Sequence, residues 1–596
     1  MTLRLFTLSP LTGFRVARLA TRSLLAFAML VFASLCLWPA DAGERPAQDA
    51  ASPRIIDVAA REGRRNVMFN LAHAWDWSTQ QPFIDMMRLA RPWIGHLRGR
   101  WGGVGEADLV SGGYLDDDGW VLAVPGHVVK LSALILTDMP AEATSLAGRY
   151  HVRWEGSAYL GFSGRARNVR YSGRNSATFD YTPGPGFVSL EFNRGDLRNL
   201  SVVHERHLDR FERGEVFNPD WLARVGDAQG LRFMNWMGTN DSTVSSWQER
   251  PRPERYTWAG GVPLEVMIAL ANETGAEPWF TLPHLADDDY MRRFAQMVQA
   301  DLRPDLRAWL EFSNEVWNFQ FAQARWARDQ GRERWESDNA WVQYYALRAS
   351  EMVGIFNEVF ADDPERLVRV IAVQTGWLGL EQGILDPPLL RAEAPQAPAP
   401  FTLFDAYAVT GYFRSVLQRE ENDALMQEWL AESRAQAEAE AEAQGLEGAA
   451  RADFIAAHRF DEAIARAGRD MRDGAISGQS YRSLQDLFDR VLLHHAAIAE
   501  AHDLALVMYE GGTHALARAD QHEDEDIVAF YEALNYSAAM GDLYREFLDR
   551  WSRLSAAPAN LYSDVIMPSR WGYWGHLRHL DDDNPRWDAV MEATAP

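Results

Sequence analysis

The run Ala308-Trp309-Leu310-Glu311-Phe312-Ser313-Asn314-Glu315-Val316-Trp317-Asn318 decides how this chain is read. Its opening residues have the length and apolarity of a strand buried in a parallel sheet, and the run then stops at polar residues and a carboxylate, Glu315. A second run, Leu504-Ala505-Leu506-Val507-Met508-Tyr509-Glu510-Gly511-Gly512-Thr513-His514, repeats the pattern and stops at Glu510. Side chains alternate along a strand, so Glu311 shares a face with Ser313. Glu311 lies inside the strand and is expected below its mouth, paired with an arginine. Glu315 and Glu510 are expected where the strands emerge.

Outward from these runs, helical and strand-like segments alternate. Candidate strands lie at 231–237, 278–282, 308–312, 369–373, 404–409, 504–509 and 561–567, with helical spacing at 263–274, 290–300, 340–360 and 481–502. With the strand near Phe69 there are eight, the number in a (β/α)8 TIM barrel, although a doubly wound α/β sheet produces the same alternation. Residues 67–91 read as the first strand and a short helix over 82–90. Residues 92–210 are different: short alternating runs at 126–131 and 186–192 between Gly, Pro and Asp clusters predict an inserted β-rich, sandwich-like module. Residues 211–596 hold the remainder of the barrel. Within them, 414–478 is rich in Ala, Glu and Arg and reads as a helical insertion, either solvated or acting as a lid.

In a barrel of this type the loops at the carboxyl ends of the strands share one face. Two carboxylates on such a face suit glycoside hydrolysis, one protonating the leaving oxygen while the other attacks the sugar carbon. The Asn314-Glu315 pair after the fourth strand and Glu510 at the end of the seventh resemble clan A retaining glycoside hydrolases, the 4/7 superfamily of (β/α)8-barrel glycosidases. That resemblance implies Glu315 as acid/base, Glu510 as nucleophile and Asn314 as a ligand of the sugar 2-hydroxyl. It covers the chain outside the β-rich module and the helical insertion. Tyr412 resembles the tyrosine near the nucleophile in several of these families. His284, after Leu282-Pro283, is a candidate cleft residue or a satisfied structural histidine. Trp75 with Asp76 and Trp77 after the first strand, and Trp571 and Trp574 after the eighth, are candidates to stack on sugar. Asn240 and Asp241 are mouth residues without an assigned role, and Asp287-Asp288-Asp289 reads as a helix cap. The sequence has no Gly-rich phosphate loop, no HExxH and no nucleophile elbow. No cofactor and no metal are expected.

Composition narrows the partners. The chain has 596 residues, 47% of them hydrophobic and 24% charged, which suits a large domain with additions. Its formal net charge is −25, and Lys130 is its sole lysine. Such acidity disfavours broad binding of nucleic acid or of a polyanion and points to a neutral oligo- or polysaccharide. The 23 tryptophans fit either a core or a carbohydrate cleft.

Arg4, Arg15, Arg18 and Arg22 precede an apolar run from Leu24 to Trp38, followed by Ala40-Asp41-Ala42. Residues 1–42 therefore read as a signal peptide and 43–66 as a linker, giving a periplasmic or secreted protein without stable membrane insertion after cleavage. The alternative is an uncleaved N-terminal anchor. Cys36, the single cysteine, lies in the signal segment, so the mature chain would have no disulfide. Two further readings stand beside the glycosidase: a non-catalytic glycan-binding protein, and a component of polysaccharide export that uses the β-rich module as its contact surface.

Overall fold

The computed structural model describes residues 58–593; the expected signal peptide and most of the linker lie outside them. Eight parallel strands form one sheet: β1 (Arg65–Asn70), β2 (Ala228–Arg232), β3 (Glu277–Leu282), β4 (Ala308–Phe312), β5 (Leu367–Ala372), β6 (Ala406–Phe413), β7 (Ala505–Thr513) and β8 (Ala559–Tyr562). Neighbours follow chain order from β1 to β7, and β8 pairs with β1 on the other side. β7 and β8 lie side by side, so the sheet is a nearly closed barrel of the TIM type. Asn70 spans the seam: its amide donates to Tyr509 O on β7 (2.8 Å) and to Asn560 Oδ1 on β8 (3.0 Å).

Each expected strand region holds a strand, but two are displaced toward the N-terminus, and β6 and β7 run on to Phe413 and Thr513, so Glu510 lies within its strand rather than at its end. β2 ends at Arg232, whereas the apolar run suggested 231–237, because Phe233 and Trp236 belong to a buried turn that packs on Phe83, Trp221 and Phe280. β8 similarly ends at Tyr562 rather than continuing to 567. Apolarity reports burial, and a buried turn is as apolar as a buried strand. The helix expected over 82–90 shrinks to one 3-10 turn, Met86–Leu89. Asp85 caps that turn through Met87 N and also accepts from Val202 N at 2.9 Å, which ties it to the following β-rich region, and Pro92 disfavours helix at Arg91.

Between β1 and β2 lie two antiparallel sheets. One includes Ile94–His96, Lys130–Ile135 and Val188–Phe192, the other Gly148–Glu155, Ser176–Tyr181 and Arg198–His204. The run expected to start at Gly126 begins at Lys130, after a turn. Alternation places Tyr150, Val152 and Trp154 on the inner face, where they join Leu131, Ile135, Val188 and Leu190 in one apolar core. Asp76, in the loop after β1, binds this region to the barrel: it pairs with Arg91 at 2.8 Å and accepts the Thr137 hydroxyl. That makes Asp76 structural, not a sugar contact.

After β6 come the helices Asp423–Ala443, Gly448–His458 and Asp461–Asp473. The first buries Met426, Trp429, Ser433, Ala437 and Ala441, a stripe at three- and four-residue spacing, and turns its Glu-rich side to water. Gly468 of the third meets Ala539 of the helix Ala538–Leu554, which flanks the barrel. Among the described residues no helix is long and apolar enough to cross a membrane.

Candidate functional site

The barrel interior beneath the mouth is aromatic and charged. Trp279 and Trp309 stack at 5.0 Å between centroids, and their indole N–H groups donate to Glu311 Oε2 (2.9 Å) and Glu277 Oε2 (2.8 Å). Arg232, the last residue of β2, is fully buried and acts as a hub. Its Nε and Nη2 grip Glu311 at 2.9–3.1 Å, Nη1 donates to Asn70 Oδ1 (2.8 Å) and Glu510 Oε1 (3.0 Å), and Nη2 also reaches Asn314 Oδ1 (2.9 Å). The planar guanidinium fork suits several acceptors at fixed angles in a way that a lysine would not. Glu311 is thus the interior, arginine-paired carboxylate expected from its place in the strand.

The nucleophile candidate is positioned by a bulge. Val409 of β6 pairs with Met508 of β7, but Thr410 pairs with Glu510, so Tyr509 is an extra residue. The bulge interrupts alternation and lets Tyr509 and Glu510 both serve the barrel interior. The Tyr509 hydroxyl donates to Glu315 Oε1 (3.1 Å), and Tyr412 donates to Glu510 Oε2 (3.1 Å). Glu315 also accepts from Asn318 Nδ2 at 2.9 Å. Just beyond β4, Ser313 (φ 61°) and Glu315 (φ 44°) adopt left-handed conformations uncommon for these residue types, and it is this turn that presents Glu315 to Tyr509.

Burial governs the electrostatics. It pushes Glu510 up to about 7; Arg232 opposes the rise, while the charge of Glu315 adds to it. Arg232 cannot fully neutralise Glu510 because it also serves Glu311. Burial first, and then the nearby carboxylates, holds the phenols of Tyr412 and Tyr509 well above their ordinary range. Both therefore stay protonated and donate.

The remaining candidates separate into groups. Asn314 is buried against Arg232 and gives its amide to Asn240 Oδ1 (3.0 Å), which places Asn240 in the same network. Trp574 is half-buried, its ring edge-on to Tyr412 (5.9 Å), His514 (5.1 Å) and Tyr562 (5.8 Å), one residue removed from Glu510. Trp571 is not brought to this group: it stands 68% exposed with Arg570 over its ring at 4.7 Å. Trp75 is half-buried over Gly260 in the loop after β2, and Trp77 faces His73 at 6.0 Å. His284 is buried against Trp326 at 5.3 Å, and burial holds it down at about 4. It lines a cavity of about 450 Å³ whose walls include Asp287, Trp326, Tyr344 and Arg348 but neither Glu315 nor Glu510. Asp287 caps the helix Asp288–Asp301, as its run suggested.

Arg232 and Tyr509 were missed by sequence reading, as was a rim formed by Phe319, Trp341 and Trp377. Phe319 and Trp377 are 42% and 54% exposed, and both rings lie against Trp341, at 5.7 and 6.0 Å. The signal available for Phe319 and Trp377 was their position shortly after β4 and β5, where mouth residues fall. Glu381, His494 and His495 bring potential metal-ligand atoms within 4.8 Å of one another. Both His495 nitrogens, however, already have partners, Tyr407 Oη (2.9 Å) and Thr375 O (3.0 Å), and His494 pairs with Glu381 at 2.9 Å. His495 therefore has no nitrogen left for a metal.

Comparison with known proteins gives no match to a family model, to a curated protein or to a solved structure.

Proposed function

We propose that this chain is an exported retaining glycoside hydrolase acting on a β-linked glycan, with Glu315 as acid/base and Glu510 as nucleophile. The observation that carries the reading is the joint placement of two carboxylates, Glu315 just past β4 and Glu510 within β7, each held by a protonated phenol and linked through Tyr509 and Arg232. In the first step ionised Glu510 attacks the anomeric carbon while protonated Glu315 gives its proton to the departing glycosidic oxygen. In the second, Glu315 takes a proton from water, the water oxygen bonds to the anomeric carbon, and the ester to Glu510 breaks. Arg232 and Tyr412 orient Glu510 for attack. Trp574 and the Phe319–Trp341–Trp377 rim offer flat apolar faces to sugar rings. The overall negative charge favours a largely neutral polysaccharide, and export rests on the N-terminal segment 1–42.

The test is turnover of β-glucans, mannans and xylans, followed by trapping with an activated 2-fluoro glycoside and peptide mass spectrometry. A glycosyl adduct on the peptide containing Glu510 is expected. Binding without turnover would favour the glycan-binding alternative, and an adduct elsewhere would overturn the assignment.

A further inference from the structure

Arg414 and Arg482 stand out in a chain that has 84 acidic and 59 basic residues. Some half-buried arginines elsewhere are matched with carboxylates, Arg250 with Glu265, Arg369 with Asp405 and Arg518 with Asp423, and others, such as Arg64 and Arg224, bond backbone carbonyls instead. Arg414 and Arg482 are also half-buried, yet among the described residues no carboxylate lies within 4.0 Å of either guanidinium. Instead they adjoin each other, with Arg414 N donating to Arg482 O at 3.0 Å. Burial first, and then the like charge of Arg482, holds Arg414 down at about 10.

Their place in the fold is the barrel mouth. Arg414 follows Tyr412 by two residues at the end of β6, so it continues the face that carries the Tyr412 hydroxyl to Glu510. Phe413 between them points away, onto Tyr544 and Phe547 of the flanking helix. Arg482 arrives from the end of the helical insertion. Its backbone is left-handed (φ 65°), and Nη2 lies over the turn after β5, 4.0 Å from where a Cβ on Gly376 would stand. Beside that turn Gln374 Oε1 is buried without a partner, and so is Nδ1 of His514, whose ring lies against Tyr412 and Trp574. Arg482 lies over the Tyr481 ring at 5.1 Å and feels the charge of Asp486, which accepts from Arg482 N at 2.9 Å, but neither group caps its guanidinium with a hydrogen bond. Loops after β5, β6 and β7 thus surround two guanidinium groups without acceptors among the described residues, next to the residue that holds Glu510.

Building on the glycosidase reading, we propose that Arg414 and Arg482 form a subsite for an anionic group carried by the glycan, a uronic-acid carboxylate or a sulfate ester. Two guanidinium forks without protein acceptors match an oxyanion that accepts from both. The insertion then has a role in specificity, since it delivers Arg482. An overall acidic surface repels a uniform polyanion, so the fitting substrate is a mainly neutral chain bearing occasional acidic substituents.

The experiment measures binding to the full chain bearing Glu510→Gln, by calorimetry, with three ligands: a neutral β-linked xylo- or gluco-oligosaccharide, the same chain with a glucuronic acid branch, and its sulfate ester. At least tenfold tighter binding of one acidic ligand is expected, and which one identifies the anion. The preference should weaken with added salt and fall to about one in Arg414→Gln/Arg482→Gln. Equal affinity for neutral and acidic ligands overturns the subsite alone, whereas failure of all three to bind removes the glycosidase reading and the subsite with it. Melting temperature provides the control. Removing one of two adjacent cations should leave it close to the parent's, and a fall of several degrees in Arg482→Gln would make the pair structural and overturn the proposal.

Discussion

At Arg232 one guanidinium contacts Glu311, Glu510, Asn314 and Asn70 and keeps no exposed surface. Arg232→Met would leave two buried carboxylates without their cation, and a loss of about 3–5 kcal/mol is expected. Adding Glu311→Gln to that variant should recover part of the loss, because one orphaned charge is removed; urea unfolding of both variants measures it, and simple additivity would argue against the shared network. Glu510 makes a different prediction. Its folded pKa of about 7 exceeds the ordinary carboxylate value of 4.5, so the folded chain holds that proton more tightly than the unfolded chain does. The stabilisation is complete below about 4.5 and is lost as pH rises through about 7, a change of about 3 kcal/mol. Glu510→Gln mimics the protonated form, so its stability advantage over the parent should grow between about pH 5 and about pH 8; a constant difference would contradict the burial argument. If Glu510 attacks as the anion, kcat/KM should also rise with pH across the same range.

Among the elements, the bulge in β7 matters most, since it turns Tyr509 as well as Glu510 toward the mouth. Tyr509→Phe keeps the ring and removes the hydrogen bond to Glu315. A neutral hydrogen bond contributes about 0.5–1.5 kcal/mol, so kcat/KM on a measured substrate should fall about 2- to 10-fold while the fold is retained. The barrel wall also has a tight contact. A Cβ at Gly541, in the helix Ala538–Leu554, would stand 2.6 Å from Pro585 O, a backbone atom that cannot swing aside. Gly541→Ala should therefore destabilise by about 1–3 kcal/mol despite alanine's better helix propensity, a result thermal unfolding can check. The strands themselves were legible because buried parallel strands are apolar runs that end abruptly. Their exact ends were not, as the buried turn at Phe233–Trp236 shows. The bulge was also hidden, since one extra residue leaves hydrophobic periodicity intact on either side.

On the scale of the whole molecule, two long segments lie between barrel strands, a β-rich one after β1 and a helical one after β6. The β-rich region fastens to the first loop through Asp76 and Asp85, while the helical one docks beside Ala539 and returns Arg482 to the mouth. If residues 1–42 direct export, N-terminal sequencing of the mature protein should begin near Gly43, and a retained Met1 in a membrane fraction would favour the anchor.

The sequence by itself determined the eight-strand rhythm, the β-rich texture of 92–210 and the two candidate carboxylates, though not that Glu510 lies within its strand. Each is written in local apolarity, turn residues and spacing, which require no knowledge of distant neighbours. Only the tertiary structure decided that Arg232 connects Glu311 to Glu510, that Tyr509 reaches Glu315, that Trp574 approaches the site while Trp571 does not, and that Arg414 meets Arg482. Those pairings join residues far apart in the chain, and the barrel's closure, its bulge and the path of its insertions bring them together. No short-range pattern records such contacts.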